Sequence, residues 1–273
     1  MRKISKTSCL LLIILLTNII ALSGCKKNTV SENRNKAVTN IQIDNKNAKA
    51  ISITNPEITN ISSVDKNNTV TKIENTSNFY ISNIWLGYEE LDKNNNMISN
   101  SETFLDLTLA PGETSYIAFP HKEYAKSIKV TSYGYDAENK IVSIYLKKDV
   151  VKIRDNQQQI ENSKIHEVLT ISDVYKKNDS NDKNTYAVKV KNSSQIDLGN
   201  IALKIGELKN DEYVAVNHLA AYNVLKASEE IEIDIIATTD ADKLKIIGYS
   251  YDDVKEKANI EIDLKSHTAT INK

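Results

Sequence analysis

Chemistry on a protein needs nucleophiles, acids, bases or metal ligands at workable spacings, and this 273-residue chain offers few. Its four histidines, His121, His166, His218 and His267, lie far apart, and none falls in an HxxxH or HExxH arrangement. They read as surface or loop residues. The seven glycines form no GxSxG elbow, P-loop or dinucleotide fingerprint. Asp92-x-Asn94-x-Asn96 begins like a calcium loop, with oxygen ligands at alternate positions. Its sixth position is Met97, where the sharp turn needs Gly, and its twelfth is Thr103, where a bidentate Glu would close the shell. It therefore reads as a polar hairpin turn. Glu89-Glu90 and Asp252-Asp253 are adjacent acids, but neighbouring residues of a strand point to opposite faces. They read as solvated charge. No catalytic residue, metal site or cofactor is expected, and the chain reads as a non-enzyme.

One residue with chemistry to do is Cys25. Arg2, Lys3 and Lys6 come first, 18 uncharged residues separate Lys6 from Cys25, and the run Leu10 to Leu22 is broken only by Thr17 and Asn18. A basic start followed by a short apolar core is a secretory signal, although 18 residues could nearly span a bilayer as an uncleaved anchor. Leu22-Ser23-Gly24-Cys25 resembles the lipobox of bacterial lipoproteins. The resemblance implies a diacylglyceryl group on the Cys25 sulfur and removal of residues 1–24 as a signal peptide. Two acyl chains, at about 0.8 kcal/mol per buried CH₂, make a stable anchor. The expected location is the extracytoplasmic face of a cell membrane. Loss of Arg2, Lys3 and Lys6 takes 35 basic residues to 32 against 36 acidic, a net charge of −4. That gives no electrostatic case for nucleic acid. Cys9 leaves with the signal, so the mature chain has no thiol free for a disulfide or a metal. Residues 25–56 are polar and read as a lipidated tether, with the ordered body beginning near Pro56.

Beyond the tether the chain repeats itself. At an offset of 117, eight of 25 positions between 70–94 and 187–211 are identical, among them Lys72/Lys189, Asn75/Asn192, Ser77/Ser194, Asn83/Asn200 and Glu90/Glu207. An offset of 116 carries Tyr133, Tyr135 and Asp136 onto Tyr249, Tyr251 and Asp252. Both copies show apolar residues at period two, as in Ile84-x-Leu86-x-Tyr88 and Ile201-x-Leu203-x-Ile205, separated by turns rich in Asn and Asp. About seven short strands in under 100 residues suit a sandwich. The expected fold is all-β: two tandem Ig-like β-sandwich domains, 57–150 and 167–273, joined by a polar linker at 151–166. Each copy is expected to fold by itself.

Asn75-x-Ser77, Ile84-x-Leu86-x-Tyr88, Leu91-Asp92-Lys93-Asn94-Asn95 and Leu109-Ala110-Pro111-Gly112-Glu113-Thr114 resemble the FxLYD and related Ig-like domains of secreted bacterial lipoproteins. The second copy departs from the pattern with Ser228-Glu229 in place of the Pro-Gly turn. The resemblance implies adhesion or binding and no particular ligand. Tyr133 with Tyr135, and Tyr249 with Tyr251, each share one face of a strand, which serves either core packing or a stacking surface for a sugar or peptide. Trp85 falls out of phase with Ile84, Leu86 and Tyr88, and its counterparts on that face of the second copy are Ala202 and Lys204. Trp85 therefore points outward, where a large amphipathic ring looks like a binding hot spot. Trp85, Tyr133, Tyr135, Tyr249 and Tyr251 form the candidate binding patch, and a protein or a cell-wall glycan the candidate ligand. The expected role is a lipid-anchored binding or structural protein of the bacterial cell envelope. The alternative is an accessory extracytoplasmic subunit of a membrane transporter or sensor.

Overall fold

A computed structural model describes residues 42–56, 68–177 and 184–273. The signal peptide, Cys25 and the tether up to residue 41 lie outside the described residues. The chain is all-β. Its strands in the first half are β1 (Ile51–Ile53), β2 (Asn68–Asn75), β3 (Ser82–Leu91), β4 (Met97–Leu105), β5 (Thr114–Pro120), β6 (Ser127–Ala137), β7 (Lys140–Tyr145) and β8 (Val150–Asp155). The second half holds β9 (Gln159–Asn162), β10 (Leu169–Ile171), β11 (Tyr175–Lys176), β12 (Thr185–Asn192), β13 (Leu198–Lys209), β14 (Glu212–Leu225), β15 (Glu230–Ile236), β16 (Lys243–Asp253), β17 (Ala258–Asp263) and β18 (Thr268–Asn272).

Period-two patterning dictates the layers. In β3, Ile84, Leu86 and Tyr88 are buried, and they face Ile73 of β2 and Phe119 of β5 across the first core. That core lies between the sheet β1-β2-β5 and the sheet β4-β3-β6-β7-β8. The second core lies between β12, flanked by β10, β11 and β15, and the run β14-β13-β16-β17-β18-β9. Six of the ten non-glycine residues with positive φ among the described residues are Asn or Asp. Their short polar side chains tolerate the left-handed region, so the chain reverses direction with few glycines.

The duplication is visible in register. Leu86 lies opposite Tyr133, and Leu203 opposite Tyr249. Tyr135 pairs with Val142, and Tyr251 with Ile260. Buried Asn75 donates from Nδ2 to the carbonyls of Phe79 (2.8 Å) and Leu109 (2.9 Å), while its Oδ1 accepts from Ser77. Buried Asn192 does the same to Ile196 (2.8 Å) and Leu225 (3.0 Å), with Ser194 as donor. Buried carbonyls need partners, and one side chain supplies two in each half.

Three expectations change. The ordered body begins well before Pro56. Ile43, Ala48, Ala50 and Ile51 are buried in the first core, and β1 pairs with β2. This strap is polar overall, with its few apolar side chains spent on one contact. Residues 151–166 are largely strand and not linker: β8 is the edge of the first half's five-stranded sheet, and β9 pairs with β18. Finally, the halves share packing. Leu208, Tyr213 and Ile247 of the second half belong to the first half's core cluster. β5 and β14 pair in parallel at one position, Ser115 opposite Tyr213, so sheets of the two halves run on into one of nine strands. Around that seam Glu212 pairs with Lys72 and accepts from Thr114 (3.2 Å) and Tyr116 (3.0 Å). Lys265 pairs with Glu113 and lies 4.3 Å over the Tyr213 ring. Burial pushes the Lys265 ammonium below its usual range, opposed by Glu113.

Candidate functional site

On the outer face of the sheet β4-β3-β6-β7-β8 the two copies differ, with Trp85 and Phe104 where the second has Ala202 and Ala220. Register sets the rows of that face. Phe104, Trp85, Gly134, Ser143 and Lys152 lie side by side across the five strands. The next row is Glu102, Gly87, Ser132, Tyr145 and Val150. On the other side of Trp85, β6, β7 and β8 present Asp136, Ile141 and Arg154.

Trp85 is half-buried and outside the core, as its phase predicts. Its indole lies across the sheet onto Gly134: a Cβ there would sit 2.3 Å from Nε1 and 2.5 Å from Cε2. At Gly87 a Cβ would come within 3.7 Å of Cζ3. The ring can lie down because Gly134 has no side chain. Phe104, opposite Trp85 on edge strand β4, is 69% exposed. Tyr145 is exposed, with the Lys152 ammonium 5.1 Å over its ring.

Beside this aromatic pair is a polar hollow. Asn83, held at φ 47°, donates from Nδ2 to Asp136 Oδ2 at 2.9 Å. Asn156 Nδ2 lies 3.4 Å from the same oxygen and 3.3 Å from Gln158 Oε1. Arg154 is exposed and makes no ion pair among the described residues. Burial pushes the Asp136 carboxyl above its usual range, while Asn83 and the Arg154 charge pull it back. These groups come from three separated segments that only the sheet unites.

The tyrosines of the candidate patch do not line this face. Tyr133, Tyr135, Tyr249 and Tyr251 are all buried, because their faces of β6 and β16 turn into the two cores. Each core has a chain segment passing under it that takes a phenol: Tyr135 donates to the Ala48 carbonyl at 2.7 Å, and Tyr251 to that of His166 at 3.0 Å. Burial pushes the Tyr249 phenol up to about 12, and those of Tyr135 and Tyr251 higher still. Trp85 alone of the described candidates remains accessible.

Within the acid pairs Glu90 is corrected: it is buried rather than solvated, as is Glu207 at the equivalent position of the second half. Glu90 accepts from the Lys122 amide at 3.0 Å, and Glu207 from the amides of Thr238 and Thr239 at 2.7 and 2.9 Å. They pin the loop after β5 and β15. Asp92 accepts from the amides of Asn94 (2.7 Å) and Asn96 (2.9 Å), which hold its carboxyl below the usual range and close the hairpin. The histidines occupy separate places, with His121 at Thr69, His166 at Glu161, His218 at Asp106 and His267 in a turn. No group of three or more metal-type ligands occurs among the described residues. None of their helices is long and apolar enough to cross a membrane.

Phe104 and the Asp136–Arg154 hollow were not singled out from sequence. A signal for Phe104 exists, since folding the hairpin about Asn94-Asn95 puts residue 104 opposite 85.

No family model and no curated protein matches the chain. Among solved structures it is similar to red sea bream transglutaminase, at 6% identity and a TM-score of 0.20 over 81% of this chain and 30% of that one. The chain thus spans under a third of that protein's length. A chaperone–tip adhesin complex of CFA/I fimbriae matches at 9% identity and a TM-score of 0.17, covering 77% of this chain and 97% of that one. The C-terminal globular domain of an oligosaccharyltransferase from Pyrococcus abyssi matches at 10% and 0.17, covering 82% and 48%. At such scores neither fold detail nor function transfers.

Proposed function

We propose that the chain is a lipid-anchored binding protein on the extracytoplasmic face of a bacterial cell membrane, built from two Ig-like sandwiches akin to the FxLYD domains. The Leu22-Ser23-Gly24-Cys25 motif supports the anchor. One observation carries the binding role. The two copies keep the same buried polar residues at Asn75/Asn192 and Glu90/Glu207, yet only the first lays a tryptophan on a glycine bed beside an exposed phenylalanine. Large aromatic rings left in reach of solvent are costly unless they meet a partner, and they are what binding hot spots are made of.

Cell fractionation tests the reading. The processed wild type is expected in the membrane fraction, released by detergent and labelled by a fatty acid. Cys25→Ala is expected to lose the fatty-acid label. Cys25→Ala protein lacking residues 1–24 is expected to be soluble and to sediment with isolated cell envelopes. A wild type that is processed yet soluble refutes the anchor, and failure to sediment refutes envelope binding. Recovery of the wild type in a stable complex with an integral membrane protein would favour an accessory subunit.

A further inference from the structure

We propose that the outer face of β4-β3-β6-β7-β8 binds a neutral polysaccharide, with Trp85 stacking on one sugar ring and Asp136, Arg154 and Asn156 bonding the hydroxyls of the next. This rests on the binding role above and names its ligand class.

The first ground is shape. Backbone groups within a sheet are spent on the ladder, so a ligand lying on its face meets side chains alone. Here the ground is low, with Gly87, Gly134, Ser132 and Ser143 around the indole. The indole lies over Gly134 and stays partly exposed, and the negative π-face of an aromatic ring attracts the partly positive C–H groups of a pyranose. A bound peptide would look for an open sheet edge or for pockets that take alternate side chains, whereas Trp85 and Asp136 stand on the inner strands β3 and β6.

The second ground is chemistry. Trp85 and Asp136 stand in adjacent register rows, about 7 Å apart along the strands at ~3.4 Å per residue, which is the room for one further ring. The hollow there carries a carboxylate, a guanidinium and amides from Asn83, Asn156 and Gln158. Planar groups with two adjacent donors or acceptors match vicinal hydroxyl pairs. The charges balance: Asp155 pairs with Lys140, and Asp136 lies in the field of Arg154. A polyanion would call for a cationic field, which is missing.

The second copy is an internal control. Trp85, Phe104 and Gly134 correspond in register to Ala202, Ala220 and Ser250. Its Asp252 is held by Asn200 at 2.6 Å and Asn259 at 2.8 Å, and Asn272 replaces Arg154 and bonds Glu261 at 3.2 Å. That face keeps an exposed Tyr222 on β14, but it lays no ring on a glycine and has no guanidinium beside its aspartate.

Trp85 is the only tryptophan, so its emission reports binding directly. Cys25→Ala protein lacking residues 1–24 would be titrated with hexasaccharides of N-acetylglucosamine, β-1,4-glucose and α-1,4-glucose, and with polyglycerol phosphate. The expected result is a saturable emission change with at least one neutral hexasaccharide and none with polyglycerol phosphate. Phe104→Ala and the pair Asp136→Asn with Arg154→Ala should each weaken it by about tenfold or more. Asp252→Asn should leave it unchanged, Trp85→Ala should abolish retention on the same glycan immobilised, and Trp85→Phe should restore part. Thermal melts separate misfolding from lost contacts. No response to any neutral hexasaccharide overturns the proposal, as does binding of polyglycerol phosphate alone. Sedimentation with isolated envelopes, run alongside, distinguishes the two levels: if it persists unchanged in Trp85→Ala, the binding role stands and the glycan face falls.

Discussion

The two halves solve the same folding problem with the same parts and then diverge on one face. Asn75 and Asn192, Glu90 and Glu207, and Tyr135 and Tyr251 occupy matching buried places and make matching bonds. An unpaired buried polar group costs about 1–3 kcal/mol, so these positions cannot drift singly. Nothing in the fold restrains an outward residue of β3 or β13, and there Trp85 stands against Ala202. The halves also differ in self-sufficiency. The second core is made of its own residues, whereas the first takes in Leu208, Tyr213 and Ile247.

The sharpest way to break the comparison is to cut the chain. Residues 158–273 alone are expected to unfold cooperatively, while 42–157 alone should be largely unfolded. Loss of three large apolar contacts at about 1.5–3 kcal/mol each takes most of a stability of ~5–15 kcal/mol. Urea unfolding followed by circular dichroism checks both fragments. Equal stability would restore the independent folding that the sequence suggests. In the intact chain Tyr213→Ala should cost about 3–5 kcal/mol.

Asn75→Ala and Asn192→Ala come next. Each removes a donor from two buried carbonyls, of which those of Phe79, Leu109 and Ile196 keep a second partner in Ser77, Ile81 and Ser194, so each is expected to cost about 1–3 kcal/mol. Similar losses in urea midpoint would confirm that the halves use the residue alike; a loss in only one would show that the equivalence is geometric and not energetic.

How much of this could be read in advance follows from what duplication preserves. The repeat and the strands were legible because buried positions keep their type, and the outward phase of Trp85 was legible because Ala202 and Lys204 bracket the same face. Period two placed Tyr133 with Tyr135 but could not say which side was the core; that depends on the strap at 42–53, whose polar composition hid it. β9, with sequence Gln159-Ile160-Glu161-Asn162, is an exposed edge strand and carries no apolar stripe to announce itself. Asp136, Asn83 and Arg154 are brought together by register alone, which no local pattern encodes.

Gly134→Ala tests the aromatic bed. A Cβ would meet Trp85 Nε1 at 2.3 Å and the Val142 carbonyl oxygen at 2.5 Å, and the second contact is backbone that cannot swing away. The expected cost is about 1–3 kcal/mol, with a shift in Trp85 emission. At the matching position Ser250→Gly should cost only about 0.5–1 kcal/mol, from backbone entropy. A harmless Gly134→Ala would mean the indole does not rest there.

The smallest effect compares Asp136 with Asp252, which have drifted in opposite directions. Hydrogen bonds from Asn259 and Asn200 hold the Asp252 carboxyl below its usual range, so it adds stability above the unfolded-state pKa that is lost as pH falls through the lower folded value. Burial holds Asp136 above its range. Its contribution is therefore present below the unfolded-state pKa and lost as pH rises through the higher folded value. Asp252→Asn should lower the urea midpoint at pH 7, with the difference shrinking below pH 4. Asp136→Asn should leave it level or raise it at pH 7, since the neutral amide escapes the desolvation of an ionised carboxylate and its oxygen still accepts from Asn83. Shifts of the same sign in both variants would refute the contrast. A half-buried carboxylate kept at a cost to folding is what a ligand-gripping group looks like, because functional sites are where stability is surrendered. The same Asp136→Asn protein should therefore fold at least as well as the wild type and bind its glycan less well, an opposition that a purely structural aspartate would not show.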